Sequence, residues 1–143
     1  MDQILDRLWL GGCEPDADAL RQCEFGCVIS LCEVPPVIET PGIQHIQAPF
    51  PDEVFLQVPE WAARVHALRQ ALRKYRTVFV GCRLGKSRAP SLVAAYLTEI
   101  GWDLDTALAF LVSRRGEVAP HPETWRGVQH WHASLRWGNG LGG

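Results

Sequence analysis

The sequence predicts an α/β fold, with a central, mainly parallel β-sheet flanked by helices on both faces. Two observations lead there. Short runs rich in β-branched and aromatic residues, at 27–32 and 77–80, alternate with longer stretches in which apolar residues recur at helical spacing. The run Cys27-Val28-Ile29-Ser30-Leu31-Cys32 is almost continuously apolar, as a strand covered on both faces must be. At 143 residues and 47% hydrophobic composition, the chain suits one globular domain, expected over 1–137, with a flexible glycine-rich tail at 138–143.

Taken in order, Leu8-Trp9-Leu10 before Gly11-Gly12 reads as a first strand, and residues 14–23 as a short helix with Pro15 near its start. The 27–32 strand is expected beside the one at 77–80. Residues 33–42, with three prolines and a glycine, form an irregular loop, and 44–47 a further short strand. Residues 58–75 place Val58, Trp61, Ala62, Val65, Leu68 and Leu72 on one helical face, giving a crossover helix between strands. A helix follows the strand at 77–80 and stops at Gly101. Asp103 caps the next, which ends near Arg114-Arg115-Gly116, and 120–137 forms the last.

The chemistry gathers in the loop between the 77–80 strand and the helix after it, Cys82-Arg83-Leu84-Gly85-Lys86-Ser87-Arg88. A tight strand-to-helix loop aims backbone N–H groups and the positive helix end at one point, which attracts an anion. Lys86 and Arg88 stand where the helix dipole disfavours cations, and a bound anion reverses that sign. A guanidinium can grip phosphate through two parallel hydrogen bonds, so Arg88 is the natural clamp. The same amides and cations favour Cys82 as a thiolate nucleophile.

Spacing separates the rival loops. A nucleotide-binding loop needs G-x-x-x-x-G-K-[ST], but Gly81 and Gly85 enclose only three residues. A rhodanese-like sulfurtransferase loop would have four residues between Cys and Arg, where this chain has five. Cys82-x5-Arg88, with Gly85 and Ser87 inside, resembles the C-x-x-G-x-[SG]-R motif of cysteine-dependent protein tyrosine phosphatases, in their dual-specificity branch. The resemblance implies a protein tyrosine phosphatase-like fold over roughly 5–135. It also implies metal-independent hydrolysis of phosphomonoesters through a phosphocysteine, with no cofactor. Residues 83–88 (Arg83, Leu84, Gly85, Lys86, Ser87 and Arg88) would bind phosphate.

A leaving alkoxide or phenoxide needs a proton, so one carboxylate must face the loop. Asp52, in the turn PFPDE thirty residues before Cys82, is the expected acid, at the separation these phosphatases use, with Glu53 its competitor. The family usually has His where Gly81 stands, and Ser or Thr where Ala89 stands, so a slowed enzyme is expected. Cys32 resembles the redox partner cysteine of related lipid phosphatases. The basic loop is also similar to those of phosphoinositide and phospholipid-head-group phosphatases, an alternative substrate class. The alternatives of another class are a non-catalytic phosphate-binding module and a rhodanese-like sulfurtransferase carrying a persulfide on Cys82, the latter disfavoured by the loop length.

A formal net charge of −2 offers no basic face for nucleic acid. The expected partner is a phosphorylated protein or small phosphomonoester. No apolar run reaches 18 residues and the start of the sequence lacks the pattern of a signal peptide, so no stable membrane insertion is expected and the chain is read as cytoplasmic; the sequence does not fix the oligomeric state, and a monomer is the default expectation. Five scattered cysteines are not a disulfide framework, and Cys23, Cys27 and Cys32 lack the paired spacing of a zinc site, so no metal is expected.

Overall fold

The computed structural model describes residues 1–12, 26–33 and 42–141, the last of them, 137–141, as backbone alone. Five strands form one sheet: β1 (Asp2–Leu5), β2 (Leu8–Gly12), β3 (Cys27–Ser30), β4 (Gln44–Gln47) and β5 (Val78–Cys82), in the order β1-β2-β5-β3-β4. All neighbours are parallel except β1 and β2, which form an antiparallel pair. Strand β5 is central, with Cys82 opposite Gly12 on one side and Gly81 opposite Ser30 on the other. The expected adjacency of the two apolar strands holds.

Four helices are described: α1 (Val58–Lys74), α2 (Arg88–Glu99), α3 (Leu104–Arg114) and α4 (Pro122–Leu141). Side chains alternate across β5. Val78, Val80 and Cys82 join the main core together with Trp61, Val65 and Leu68 of α1, Leu92 and Val93 of α2, Ala107 and Leu111 of α3, and Val128 and Trp131 of α4. Phe79 points the other way, into a small cluster with Val28, against which Trp9 and Ile43 pack. The helix expected at 14–23 and most of the 33–42 loop lie outside the described residues.

Helix α2 is apolar on nearly all sides because it lies between the sheet and three other helices, and ten of its residues are buried. Asp103 caps α3 as the sequence implies, accepting from the Thr106 amide at 3.2 Å. Two elements differ from expectation. Strand β1 was not foreseen, because of its four residues only Ile4 is buried and no alternation marks it. Helix α4 runs through Leu141, past the expected end at Trp137 and into the 138–143 segment read as a tail. Glycine weakens a helix by about 1 kcal/mol but does not forbid it, and no proline follows Pro122 to stop it.

Candidate active site

Strand β5 ends at Cys82 and α2 begins at Arg88, so residues 83–87 make the whole connection. Cys82 faces the helix-covered side and is only 3% exposed. A cavity of about 300 Å3 opens over it, lined by Cys82, Arg83, Leu84, Lys86, Ser87 and Arg88 from the loop and by Asp52 and Glu53 from the turn after β4. The nucleophile, the cations and the acid expected from sequence are thereby in one place. Gly85 lies behind the loop, with φ of +68°. Cys32 follows the neighbouring strand β3 and is buried. Cys27 and Cys82 are free thiols.

The loop's orientation follows from where its carbonyls go. Arg115 donates from Nη2 to the Leu84 carbonyl at 3.1 Å and from Nε to the Gly85 carbonyl at 3.0 Å. The Ala119 amide donates to the Lys86 carbonyl, and the His121 amide to Ser87 Oγ, both at 2.9 Å. Three successive carbonyls are therefore held from behind by the segment between α3 and α4. In a planar trans peptide the N–H points opposite to the C=O. The N–H groups of Gly85, Lys86 and Ser87 accordingly turn away from that segment, toward the cavity, and none has a backbone partner among the described residues. Three neighbouring backbone donors turned to one side are an arrangement that suits an anion.

Residues 115–121 were missed as part of the site. In sequence they read only as a helix end and a Pro-His-Pro start. The one available signal was an arginine in a short irregular connection.

Arg88 is 5% exposed. Its Nη1 donates to two backbone carbonyls, Leu31 at 3.2 Å and Phe50 at 3.0 Å, which fixes the guanidinium plane from the far side. Its Nε is buried with no hydrogen-bond partner among the described residues. The nearest carboxylate oxygen, Asp52 Oδ1, is 3.8 Å away, beyond hydrogen-bonding distance. Asp52 is half-exposed, and the same oxygen accepts from the Glu53 amide at 2.9 Å.

The segment carrying Asp52 is tied down at both ends. Arg64 of α1 donates to the carbonyls of Ala48 and Pro49 at 3.0 and 2.6 Å. Downstream, the Arg126 guanidinium lies 4.3 Å from the Phe55 ring centre, and the His130 ring meets Phe55 in a T-shaped contact. The position of Asp52, the acid expected from sequence, is thus set by α1, α4 and Arg88 together.

Comparison with known proteins agrees with this geometry. The family model described as Dual specificity phosphatase, catalytic domain, matches residues 8–134. Protein phosphatase Slingshot homolog 1 of Homo sapiens is 27% identical over 137 residues, covering 92% of this chain but 13% of that protein. Tyrosine-protein phosphatase yvh1 of Schizosaccharomyces pombe is 30% identical over 125 residues, covering 85% of this chain and 38% of that protein. The chain therefore spans well under half the length of these relatives. The crystal structure of human DUSP28 shares the fold at a TM-score of 0.87 and 20% identity, covering 96% of this chain and 99% of that one. A crystal structure of PTPMT1 in complex with PI(5)P gives 0.78 at 20% identity, covering 94% and 96%. With its family model matched over nearly all of its length and its motif cysteine and arginine in one pocket, the chain belongs to the dual-specificity phosphatase catalytic-domain family, within the cysteine-dependent protein tyrosine phosphatases.

Proposed function

We propose that the protein hydrolyses phosphomonoesters, phosphotyrosine first among them, through a phosphocysteine on Cys82 and without a metal. The observation that carries this reading is the Nε of Arg88, buried without a hydrogen-bond partner among the described residues, with the nearest carboxylate oxygen 3.8 Å away. A buried charged donor left without a partner costs at least about 1–3 kcal/mol. Here that donor belongs to a residue lining the same cavity as Cys82. A phosphate oxygen in the cavity supplies the missing partner.

In the first step Cys82 Sγ attacks phosphorus. The inward N–H groups of Gly85, Lys86 and Ser87 and the Arg88 guanidinium hold the non-bridging oxygens as charge builds on them. The P–O bond to the leaving group breaks and Asp52 delivers its proton to that oxygen. In the second step water attacks phosphorus, Asp52 takes the water's proton, and the P–S bond breaks to return the thiolate. Ala89 is fully buried and brings no hydroxyl to this second departure, so phosphocysteine breakdown is the slow step. Exposed Arg83 and Lys86 at the rim favour substrates with further negative charge. A reducing compartment such as the cytoplasm suits a thiol nucleophile. No described helix is long and apolar enough to cross a membrane.

Rapid mixing with an activated aryl phosphate in EDTA tests the proposal. Wild type should give a burst of phenol matching the enzyme concentration, and Cys82→Ser should give none. Equal release by the two proteins, or no release from wild type, would sink it.

A further inference from the structure

We propose that Arg115 is the positioning residue that keeps the phosphate loop's amides turned inward, and that Asp2 sets the Arg115 guanidinium for this task. The inference rests on the phosphatase reading of the loop and assigns a role to residues outside the motif. Arg115 lies thirty residues from the loop, just past the end of α3, and its side chain is only 11% exposed. The Nε and Nη2 hydrogens of a guanidinium lie in one plane and diverge little, so they match two adjacent carbonyl oxygens. In this protein those oxygens belong to Leu84 and Gly85. The third nitrogen, Nη1, is 2.7 Å from Asp2 Oδ2.

Each contact constrains the others. Asp2 stands at the start of β1, whose register places it opposite Leu10 on β2, the strand that borders the catalytic β5. The carboxylate is therefore fixed to the sheet rather than to a mobile side of the molecule. It holds the guanidinium in rotation, and the guanidinium holds the two carbonyls. Glu117 adds a second carboxylate to Nη2 at 3.3 Å. The loop cannot turn the peptides at 84–85 and 85–86 over without leaving Arg115 donors unpaired. Such a flip would point the N–H groups of Gly85 and Lys86 away from the phosphate and aim two carbonyl oxygens at it instead. A lysine has no planar fork and reaches one carbonyl at a time.

The experiment measures inorganic phosphate affinity by equilibrium binding, beside kcat and KM on an aryl phosphate, for wild type, Arg115→Ala, Arg115→Lys and Asp2→Asn. Removing one oxyanion donor typically costs about a hundredfold or more in kcat. Arg115→Ala should weaken phosphate binding at least about tenfold and lower kcat about a hundredfold. Arg115→Lys should recover part of the loss, and Asp2→Asn should weaken phosphate binding about threefold with its melting temperature kept. A purely structural role would lower the melting temperature of all three while leaving the phosphate affinity of the folded fraction at the wild-type value, and that result overturns the inference. Should Arg115→Ala not fold, the other two variants decide: wild-type phosphate affinity in both refutes it. Binding and turnover are read separately. A wild type that binds phosphate without hydrolysing ester removes the hydrolase and still decides Arg115, whereas a wild type that binds no phosphate overturns the inference.

Discussion

Gly85→Ala probes the loop geometry most directly. Gly85 has a φ of +68°, and a side chain there would put Cβ 2.6 Å from the Gly11 carbonyl carbon, 2.8 Å from its oxygen and 2.9 Å from Arg115 Nη2. Two costs add. The left-handed backbone costs a non-glycine residue roughly 1–2 kcal/mol. Overlap with fixed backbone costs a further ~1–3 kcal/mol, because two of the three clashing atoms are main chain of β2. A loss of about 2–5 kcal/mol follows, from a total of about 5–15 for a typical domain. Gly101 provides the control. Its φ is +106°, but a Cβ there would meet nothing within 4 Å, so Gly101→Ala carries only the backbone cost. In urea unfolding, Gly85→Ala should lose at least ~1 kcal/mol more than Gly101→Ala at unchanged m-value. Aryl phosphate turnover should fall about a hundredfold in Gly85→Ala only, since the loop relieves its clash by moving away from β2 and takes the amide donors with it. Equal stability of the two variants, with turnover kept in both, would refute the account of the loop.

Two further outcomes rest on other parts of the molecule. Asp52→Asn keeps the turn but cannot give a proton, so kcat/KM should fall about a hundredfold or more on an alkyl or unactivated aryl phosphate and only a few-fold on one whose leaving group needs no proton. Equal losses on both would remove Asp52 as the acid. Burial raises the Cys27 thiol to about 11 from 9.0, against a smaller opposing effect of Lys74. The folded state therefore favours the protonated thiol. Its contribution, of the order of 2–3 kcal/mol, is complete below pH 9 and is lost as pH rises through 9 to 11, where the unfolded chain gives up its proton first. Wild type should lose more stability than Cys27→Ala between pH 8 and 10.5 in urea unfolding. Parallel curves for the two would show that the thiol ionises alike in both states.

What the sequence disclosed, and what it did not, divides along contact distance. The site from Cys82 to Arg88 is contiguous, so its residue types and spacing were legible, and helix α1 was legible because Trp61, Val65, Leu68 and Leu72 repeat at helical intervals on a buried face. Asp52 was legible from its turn after a strand, thirty residues before Cys82, with the resemblance in support, and the cavity it shares with Cys82 is consistent with that choice. The contacts that orient these groups were not legible. Arg88 is held by the backbone carbonyls of Leu31 and Phe50, and carbonyls carry no residue signature. Arg115 acts on a loop thirty residues away. Strand β1 pairs through its backbone and buries only Ile4, so it leaves almost no hydrophobic pattern.

The glycine before the nucleophile shows how the two kinds of information join. Gly81 stands where the resembling phosphatases carry His, and taken alone it suggests a loop without support. On β5, however, Gly81 shares the face of Phe79 rather than that of Cys82. A Cβ at 81 would lie 2.8 Å from Phe79 Cε1 and 3.1 Å from the Gly12 carbonyl oxygen. Phe79 is 1% exposed and packed with Val28 beneath Trp9 and Ile43, so the ring has nowhere to swing. A large side chain at 79 and any side chain at 81 thus exclude each other, and the glycine is accounted for by packing on the face away from the chemistry. Support for the loop must then come from elsewhere. The structure supplies it from behind, through the Arg115 fork on Leu84 and Gly85, the Ala119 amide on Lys86 and the His121 amide on Ser87. Order that a histidine would impose from the strand side is imposed here from the connection between α3 and α4.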